Sequence, residues 1–447
     1  MIRTALTIFT GFCLFQLHAQ KLVTYTPPEG TDAAPEFRVE VNGEEIFVYN
    51  TRIAAFTTFS FEGMADIKVT FLSPVYHFDI RPESRKIKAE LLGDQISFSL
   101  EEPANISLEV NRNIKRPLFI FAGPLETDVP EKGDEKVIFF EAGKVHTPGE
   151  VIIESDQTVY IEGGAIVRGH FMASRGKNIT IRGRGILDNS RYGKGEYRPI
   201  EINRCENVLI QGIILTESRH WNCPATACRN ITYDNFKIVS ENDWDDGIDI
   251  VGSSDVLVDN CFIRTKDDCI AIKSGVNYFT GFDSGCIVDH IVIQNSVLWN
   301  GAWGNGLEIG FETRSDTIRN VTFRNCDLIH VEGPEGTFTI HNGDRAVVSN
   351  IRYEDIRVED SRGWLIDFRV LESRYSKDKE RGKIENVQFK NISVTGEHFP
   401  FSQIIGFDET HDIENVVLED FTILGKKIES TYDGMIAVAH LKGLQFK

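Results

Sequence analysis

Along most of the chain a polar residue, usually asparagine, precedes a short run of alternating apolar residues. The runs are Asn178-Ile179-Thr180-Ile181, Asn207-Val208-Leu209-Ile210, Asn230-Ile231-Thr232-Tyr233 and Asp255-Val256-Leu257-Val258. They continue with His290-Ile291-Val292-Ile293, Asn320-Val321-Thr322-Phe323, Asn350-Ile351-Arg352-Tyr353, Asn386-Val387-Gln388-Phe389 and Asn415-Val416-Val417-Leu418. Period-two alternation marks a strand with one buried face. Successive runs lie between 23 residues (207 to 230) and 36 residues (350 to 386) apart, room for two or three short strands per unit. A unit that small cannot bury an apolar face alone and must stack on its neighbours. Stacked coils of parallel strands make a right-handed parallel β-helix, with coils about 4.8 Å apart. A propeller would need tight antiparallel hairpins inside every repeat, and those turn signals are sparse.

Residues 20–130 alternate more cleanly, as in Phe37-Arg38-Val39-Glu40-Val41, Ile67-Lys68-Val69-Thr70-Phe71 and Ile96-Ser97-Phe98-Ser99-Leu100. Clean alternation predicts antiparallel strands with one wet face, hence a small antiparallel β-sandwich domain. Pro124 to Lys136 is charged and carries Pro and Gly, a linker into a β-helix spanning 131–447. The chain is therefore expected to be all-β, a right-handed parallel β-helix preceded by a sandwich.

The start of the chain adds a third segment. Arg3, the apolar stretch Ala5 to Phe15 and the small Ala19 read as a cleaved signal peptide over residues 1–19. That predicts a secreted or periplasmic protein, and no later stretch is apolar enough to enter a membrane. The formal charge is −19, or −20 once Arg3 is removed. Such a balance excludes nucleic acid and an anionic membrane surface as partners. It leaves room for a polysaccharide or oligosaccharide, and it says nothing of oligomeric state. Of eight cysteines, Cys13 lies in the leader, so an odd seven remain and at least one is unpaired. Cys223 and Cys228 are the candidate disulfide. Glycosylation sequons at Asn105, Asn178, Asn230, Asn320 and Asn391 recur at strand starts, which favours stacked turn asparagines over glycan sites.

Candidate chemistry is concentrated in two acidic turns that feed strands. Asp245-Asp246-Gly247-Ile248-Asp249-Ile250 is followed by Asp267-Asp268-Cys269-Ile270-Ala271-Ile272-Lys273, with Asp268 22 positions after Asp246. Registering Ile248 and Ile250 on Ile270 and Ile272, then on Leu307 and Ile309, stacks Asp246 on Asp268 and sets Asp268 beside Asn305. Like charges one strand apart are unfavourable and raise carboxyl pKa values, so their stacking points to use. Three convergent carboxyls are what acid/base cleavage of a glycosidic bond requires. Asp249, Glu308 and Lys273 point outward on the same strands, with Arg369 two coils on. Trp244 and Trp303 abut the acidic turns and suit stacking on sugar rings. His220 and Trp221 lie one coil earlier. All of these are expected substrate contacts.

From about Arg182 to Ile329 the chain resembles the polygalacturonase family, glycoside hydrolase family 28. Asp246-Gly247-Ile248-Asp249 resembles the end of that family's Asn-Thr-Asp-Gly motif, and Asp267 to Gly275 its Asp-Asp segment. Asn207 to Trp221 resembles the segment ending in Ser-Pro-x-Trp, and Glu312 the Glu after the third acidic coil. The resemblance implies an inverting hydrolase without metal or cofactor. Asp267 would be the general acid, with Asp246 and Asp268 activating water across a wide carboxyl gap. Two motifs depart from the family. Its Gly-His-Gly is replaced by Trp303-Gly304-Asn305-Gly306. Its Arg-Ile-Lys is absent from the coil reading Gly336-Thr337-Phe338-Thr339-Ile340-His341-Asn342. The chain is also similar to the dextranase and isopullulanase family (family 49), which pairs a sandwich with a β-helix and lacks both motifs. The Gly310 to Asp316 segment followed by Val321-Thr322-Phe323 carries that likeness. Two other readings stay open. One is a calcium-dependent β-helix lyase using Lys273 or Arg369 as base. The other is a non-catalytic glycan-binding β-helix.

Overall fold

The computed structural model describes residues 21–275 and 286–447. The leader read over residues 1–19 and most of the Val276 to Val288 insertion lie outside them. The asparagines that punctuate the sequence sit at corners. Asn178, Asn207, Asn230, Asn320, Asn350, Asn386 and Asn415 all have φ between 55° and 58°, as do Asp255 and His290. That left-handed bend is tolerated by Asn better than by other side-chain-bearing residues. The corner amides also ladder from coil to coil, Asn207 donating to Asn178 (2.9 Å) and Asn230 to Asn207 (2.8 Å). Asn415 donates to Asn386 in the same way (3.1 Å).

From Val137 to Phe446 the strands form one sheet, parallel apart from a hairpin at Lys426–Lys427. Through its central coils each strand pairs with the strand three places on, so a coil has three faces. Val208, Ile231, Val256, Ile291, Val321, Ile351, Val387 and Val416 stand in one register column. All eight are buried and build the core. The sheet winds as a right-handed β-helix, the hand that parallel crossovers take.

The N-terminal sandwich packs a five-stranded antiparallel sheet on a six-stranded one. One pairing departs from the antiparallel expectation, because Leu118–Pro124 runs parallel to Ala55–Glu62. Both strands are buried on two faces, the setting in which parallel pairs occur. Their outer face is covered by the β-helix. Phe119 and Phe121 pack on Phe262 at 4.8 and 5.2 Å between ring centres, and Phe119 on Trp299 at 5.8 Å. A buried ionic group ties the same junction. Arg81 joins Glu359 (2.6 Å) and Glu109 (3.3 Å), and His330 lies between Glu109 and Asp360. The sandwich thus covers the face built by the second strand of each coil (Phe262–Thr265, Val297–Asn300). The acidic turns lead onto the third.

Each of the seven described cysteines is free. The Cys223–Cys228 pairing is corrected: the Ala225–Thr226 strand runs between the two and holds them apart. Among the described residues no helix is long and apolar enough to cross a membrane.

Candidate active site

The third strands of successive coils are Ile248–Val251, Ile270–Ser274, Asn305–Thr313, Gly336–Asn342 and Trp364–Val370. Ile248, Ile270, Leu307 and Phe338 form one inward column, and Ile250, Ile272, Ile309 and Ile340 the next. This is the register read from the sequence. It brings Asp246, Asp267 and Asp268 together, each offering an oxygen within 4.8 Å of the others.

The three carboxyls have different partners. Asp246 Oδ2 accepts from Lys273 Nζ at 2.6 Å, and Lys273 also donates to Asp249 Oδ1 at 3.0 Å. Asp268 Oδ1 accepts from the backbone N–H and the side-chain amide of Asn305, at 2.8 and 2.9 Å. Asp267 makes no side-chain hydrogen bond among the described residues. Burial, then the charge of Asp246, pushes the carboxyls of Asp267 and Asp268 well above the usual carboxylate range. Burial also raises Asp249. Lys273 is pushed up instead, because the carboxylates of Asp246 and Asp249 outweigh the burial that opposes its charge.

Behind the turns is a support that pattern reasoning missed. Asp245 is fully buried, and Oδ1 accepts the N–H groups of Lys266 and Asp267 at 3.0 Å each. Its Oδ2 accepts the N–H of Asn242 at 2.8 Å, and burial pushes its carboxyl up to about 7. Asn300 donates to the carbonyls of Asp267 and Trp303, Thr265 to that of Asp267, and Asn222 to those of Asp245 and Asp246. Their only sequence signal is polarity at the end of a second or the start of a third strand.

Gly304 closes the site from the next coil. It has φ +61°, and an added Cβ would lie 2.5 Å from Asp267 Oδ1 and 2.6 Å from Asp268 N. Gly304→Ala is therefore expected to shift both aspartates. Steady-state kinetics should show kcat down by about tenfold or more, with a stability loss of about 1–3 kcal/mol from the forced backbone.

The other expected contacts divide by exposure. Trp244 and Trp303 are 50% and 58% exposed, on the turns that bear Asp246 and Asn305. Trp244 is held at φ 66° with Lys194 Nζ 4.3 Å above its ring. Such a backbone is strained for a bulky residue. Trp221 and His220, also expected as sugar contacts, are buried to about the same degree as Asp246, Asp268 and Lys273. The Trp221 ring lies 4.3 Å beneath Lys273 Nζ, and His220 is held down to about 3, chiefly by burial.

Outward along the strands, Asp249, Ala271, Glu308, Thr339 and Asp367 form one register column. His341, quoted from the sequence only for a missing motif, sits between Glu308 Oε1 and Asp367 Oδ2 at 3.1 Å to each. Burial opposes its charge, yet the two carboxylates raise it to about 9. Arg369 is gripped by both oxygens of Asp367 at 2.8 Å each.

Known proteins agree with this architecture. A polygalacturonase of Medicago sativa is 25% identical over 241 residues, 49% of this chain and 54% of that protein. The chain spans about half the length of the curated relatives it matches. Among solved structures, Dex49A from Penicillium minioluteum superposes with TM-score 0.66 at 14% identity, covering 95% of this chain and 96% of that one. A hyperthermoactive exopolygalacturonase from Thermotoga maritima gives TM-score 0.53 at 18% identity over 70% of this chain and 84% of its own. These two likenesses speak to the fold alone. The sequence profile of glycosyl hydrolases family 28 matches residues 137–437, and the chain belongs to that family.

Proposed function

We propose that the protein is a secreted glycoside hydrolase that cleaves O-glycosidic bonds of a polysaccharide by single displacement with inversion. Asp267 protonates the leaving oxygen, and Asp246 and Asp268 hold and deprotonate the attacking water. Trp244 and Trp303 stack on sugar rings beside the cleaved bond, and the β-helix, residues 131–447, is the catalytic domain.

One observation carries the reading. Three carboxyls from two stacked turns each bring an oxygen within 4.8 Å of the others, and burial, then the charge of Asp246, raises those of Asp267 and Asp268, which favours keeping a proton in the cluster. A cluster that holds both a proton and a charge can act as acid and base in one step. Asp267, with no side-chain hydrogen bond among the described residues, is the member free to reach a leaving oxygen. Asp246 and Asp268 are oriented by Lys273 and Asn305. The carboxyl spacing does not select the stereochemistry. Nearest oxygens within 4.8 Å are closer than the gap of about 6.5–9.5 Å usual for inversion.

The lyase reading lacks a base, since Lys273 is held protonated by two carboxylates and Arg369 is bound by Asp367. Relatives named polygalacturonase make galacturonan one candidate substrate. The test is a panel of acidic and neutral polysaccharides assayed for new reducing ends, then proton NMR of the first product. The inverted anomer is expected. A retained anomer overturns the single displacement. Product absorbing in the ultraviolet and lost on chelation would indicate the lyase. Binding without cleavage would indicate a glycan-binding protein.

A further inference from the structure

Exposed aromatic side chains are not scattered over the β-helix. Among the described residues they are Tyr197, Trp244, Trp303, Phe401, Phe407 and Tyr432. All but Phe407 lie on the turn that carries the chain from the second strand of a coil onto the third. A single exposed apolar residue is normal on a protein surface. A column of them beside a candidate active site marks a binding face.

The third strands give the spacing. Tyr197 precedes Ile200–Asn203, Trp244 precedes Ile248–Val251, Trp303 precedes Asn305–Thr313, and the partly buried Trp364 opens Trp364–Val370. Each of these strands lies two coils from the last, with Ala225–Thr226, Ile270–Ser274 and Gly336–Asn342 between them. An aromatic residue therefore recurs on every second coil, about 10 Å apart, over a run of about 29 Å. The aspartates fall inside that run. Tyr197 stands two coils before Asp246, and Trp364 three coils past Asp268.

Three of the rings are braced. Tyr197 stacks on His170 at 4.1 Å between ring centres, and Tyr192 meets it edge-on at 5.0 Å. Lys194 Nζ lies 4.3 Å over Trp244, and Lys266 Nζ 5.9 Å from the centre of Trp303. Asp243 ties these two ammoniums, at 2.8 and 2.5 Å. The Gly195 N–H donates to the carbonyl of Arg219 at 3.0 Å, so the loop of residues 189–199 reaches over the intervening coil to Trp244. A ring braced in this way, yet still exposed, offers a flat apolar surface that needs little further ordering on binding. The C–H face of a pyranose suits such a surface, and the column runs past the carboxyls that would cut the same chain.

We infer that Tyr197, Trp244, Trp303 and Trp364 form a rail that holds a long, extended glycan on both sides of the aspartates, so that cleavage falls within the chain and not at its end. The position of the cut rests on the hydrolase reading; binding along the rail does not.

Binding is measured by calorimetry on the Asp267→Asn protein with polygalacturonate, dextran and linear xylan, each as polymer and as disaccharide. At least one polymer should bind about 100-fold or more tighter than its own disaccharide, because the outlying rings engage only a long chain. Adding Tyr197→Ala should cut that ratio about tenfold, and Tyr197→Phe, which keeps the ring, should restore it. Trp364→Ala should act alike from the other side, with Tyr197→Ala deciding should that variant fold poorly. On the wild type, solution viscosity should fall well ahead of the release of reducing ends. The inference falls if no polymer binds, if the disaccharide binds as tightly, or if Tyr197→Ala leaves the ratio unchanged. It also falls if sugars leave one by one from chain ends, or if the rim proves to be a contact between copies, seen as a dimer that Tyr197→Ala dissolves. Should a polymer bind through the rings and stay intact in the wild type, the hydrolase reading fails while the rail stands. Should it be cleaved with the Tyr197→Ala ratio unchanged, the rail fails while the hydrolase reading stands.

Discussion

Asp267→Asn is expected to lower turnover by about 10³–10⁴-fold while leaving the melting temperature unchanged or higher. The amide keeps the size of the side chain but cannot deliver a proton, and general acid catalysis supplies about 10²–10⁴ in rate. The stability half follows from the pKa direction. Asp267 is raised in the folded state, so ionising it costs the native protein at pH values above the ordinary carboxyl pKa of about 3.9. An amide carries no such cost, and the advantage of the variant should grow as pH rises from that value toward the folded pKa. Wild-type activity should be bell-shaped in pH, the alkaline limb marking loss of the acid's proton. Residual activity in Asp267→Asn should lack that limb. Near wild-type turnover in this variant would remove Asp267 from the mechanism.

Lys273→Met is expected to have the largest effect on stability. The ammonium is fully buried and is the counter-charge to both Asp246 and Asp249. Methionine fills much of the space over Trp221 but leaves two buried carboxyls without a cation. Removing one partner of a buried ion pair costs about 3–5 kcal/mol. Urea denaturation at neutral pH should show a loss of that size, shrinking in acid as the carboxyls protonate. Lys273→Met with Asp249→Asn should recover part of it, because one of the stranded charges is gone. A single variant within about 1 kcal/mol of wild type would mean the network carries little. Activity should fall as well, since Asp246 loses the donor that orients it.

The coil architecture is readable in the sequence because one conformational demand recurs. Each corner needs a left-handed residue, and asparagine meets it at Asn178, Asn207, Asn230, Asn320, Asn350, Asn386 and Asn415. The acidic cluster is readable because the isoleucines after it fix the register, and a one-residue slip would turn them outward. Asp245 was not readable as an anchor. Its role comes from accepting two backbone N–H groups across a turn, which leaves no periodic trace. His341 was missed for a related reason: its partners, Glu308 and Asp367, lie 33 and 26 residues away in sequence (341 − 308, 367 − 341). The parallel pairing of Leu118–Pro124 depended on a neighbour outside the sandwich, and local alternation cannot report that.

Because each strand bonds only to the windings before and after it, the aspartate cluster proposed to break the bond and the polar network beyond it descend on separate modules. Asp246, Asp267 and Asp268 occupy two adjacent windings, whereas Glu308, His341 and Arg369 come from the three that follow. A lineage could therefore exchange or remodel one of those later modules without disturbing the aspartate cluster. The same seam offers protein engineers a place to graft foreign selectivity onto an intact bond-breaking centre.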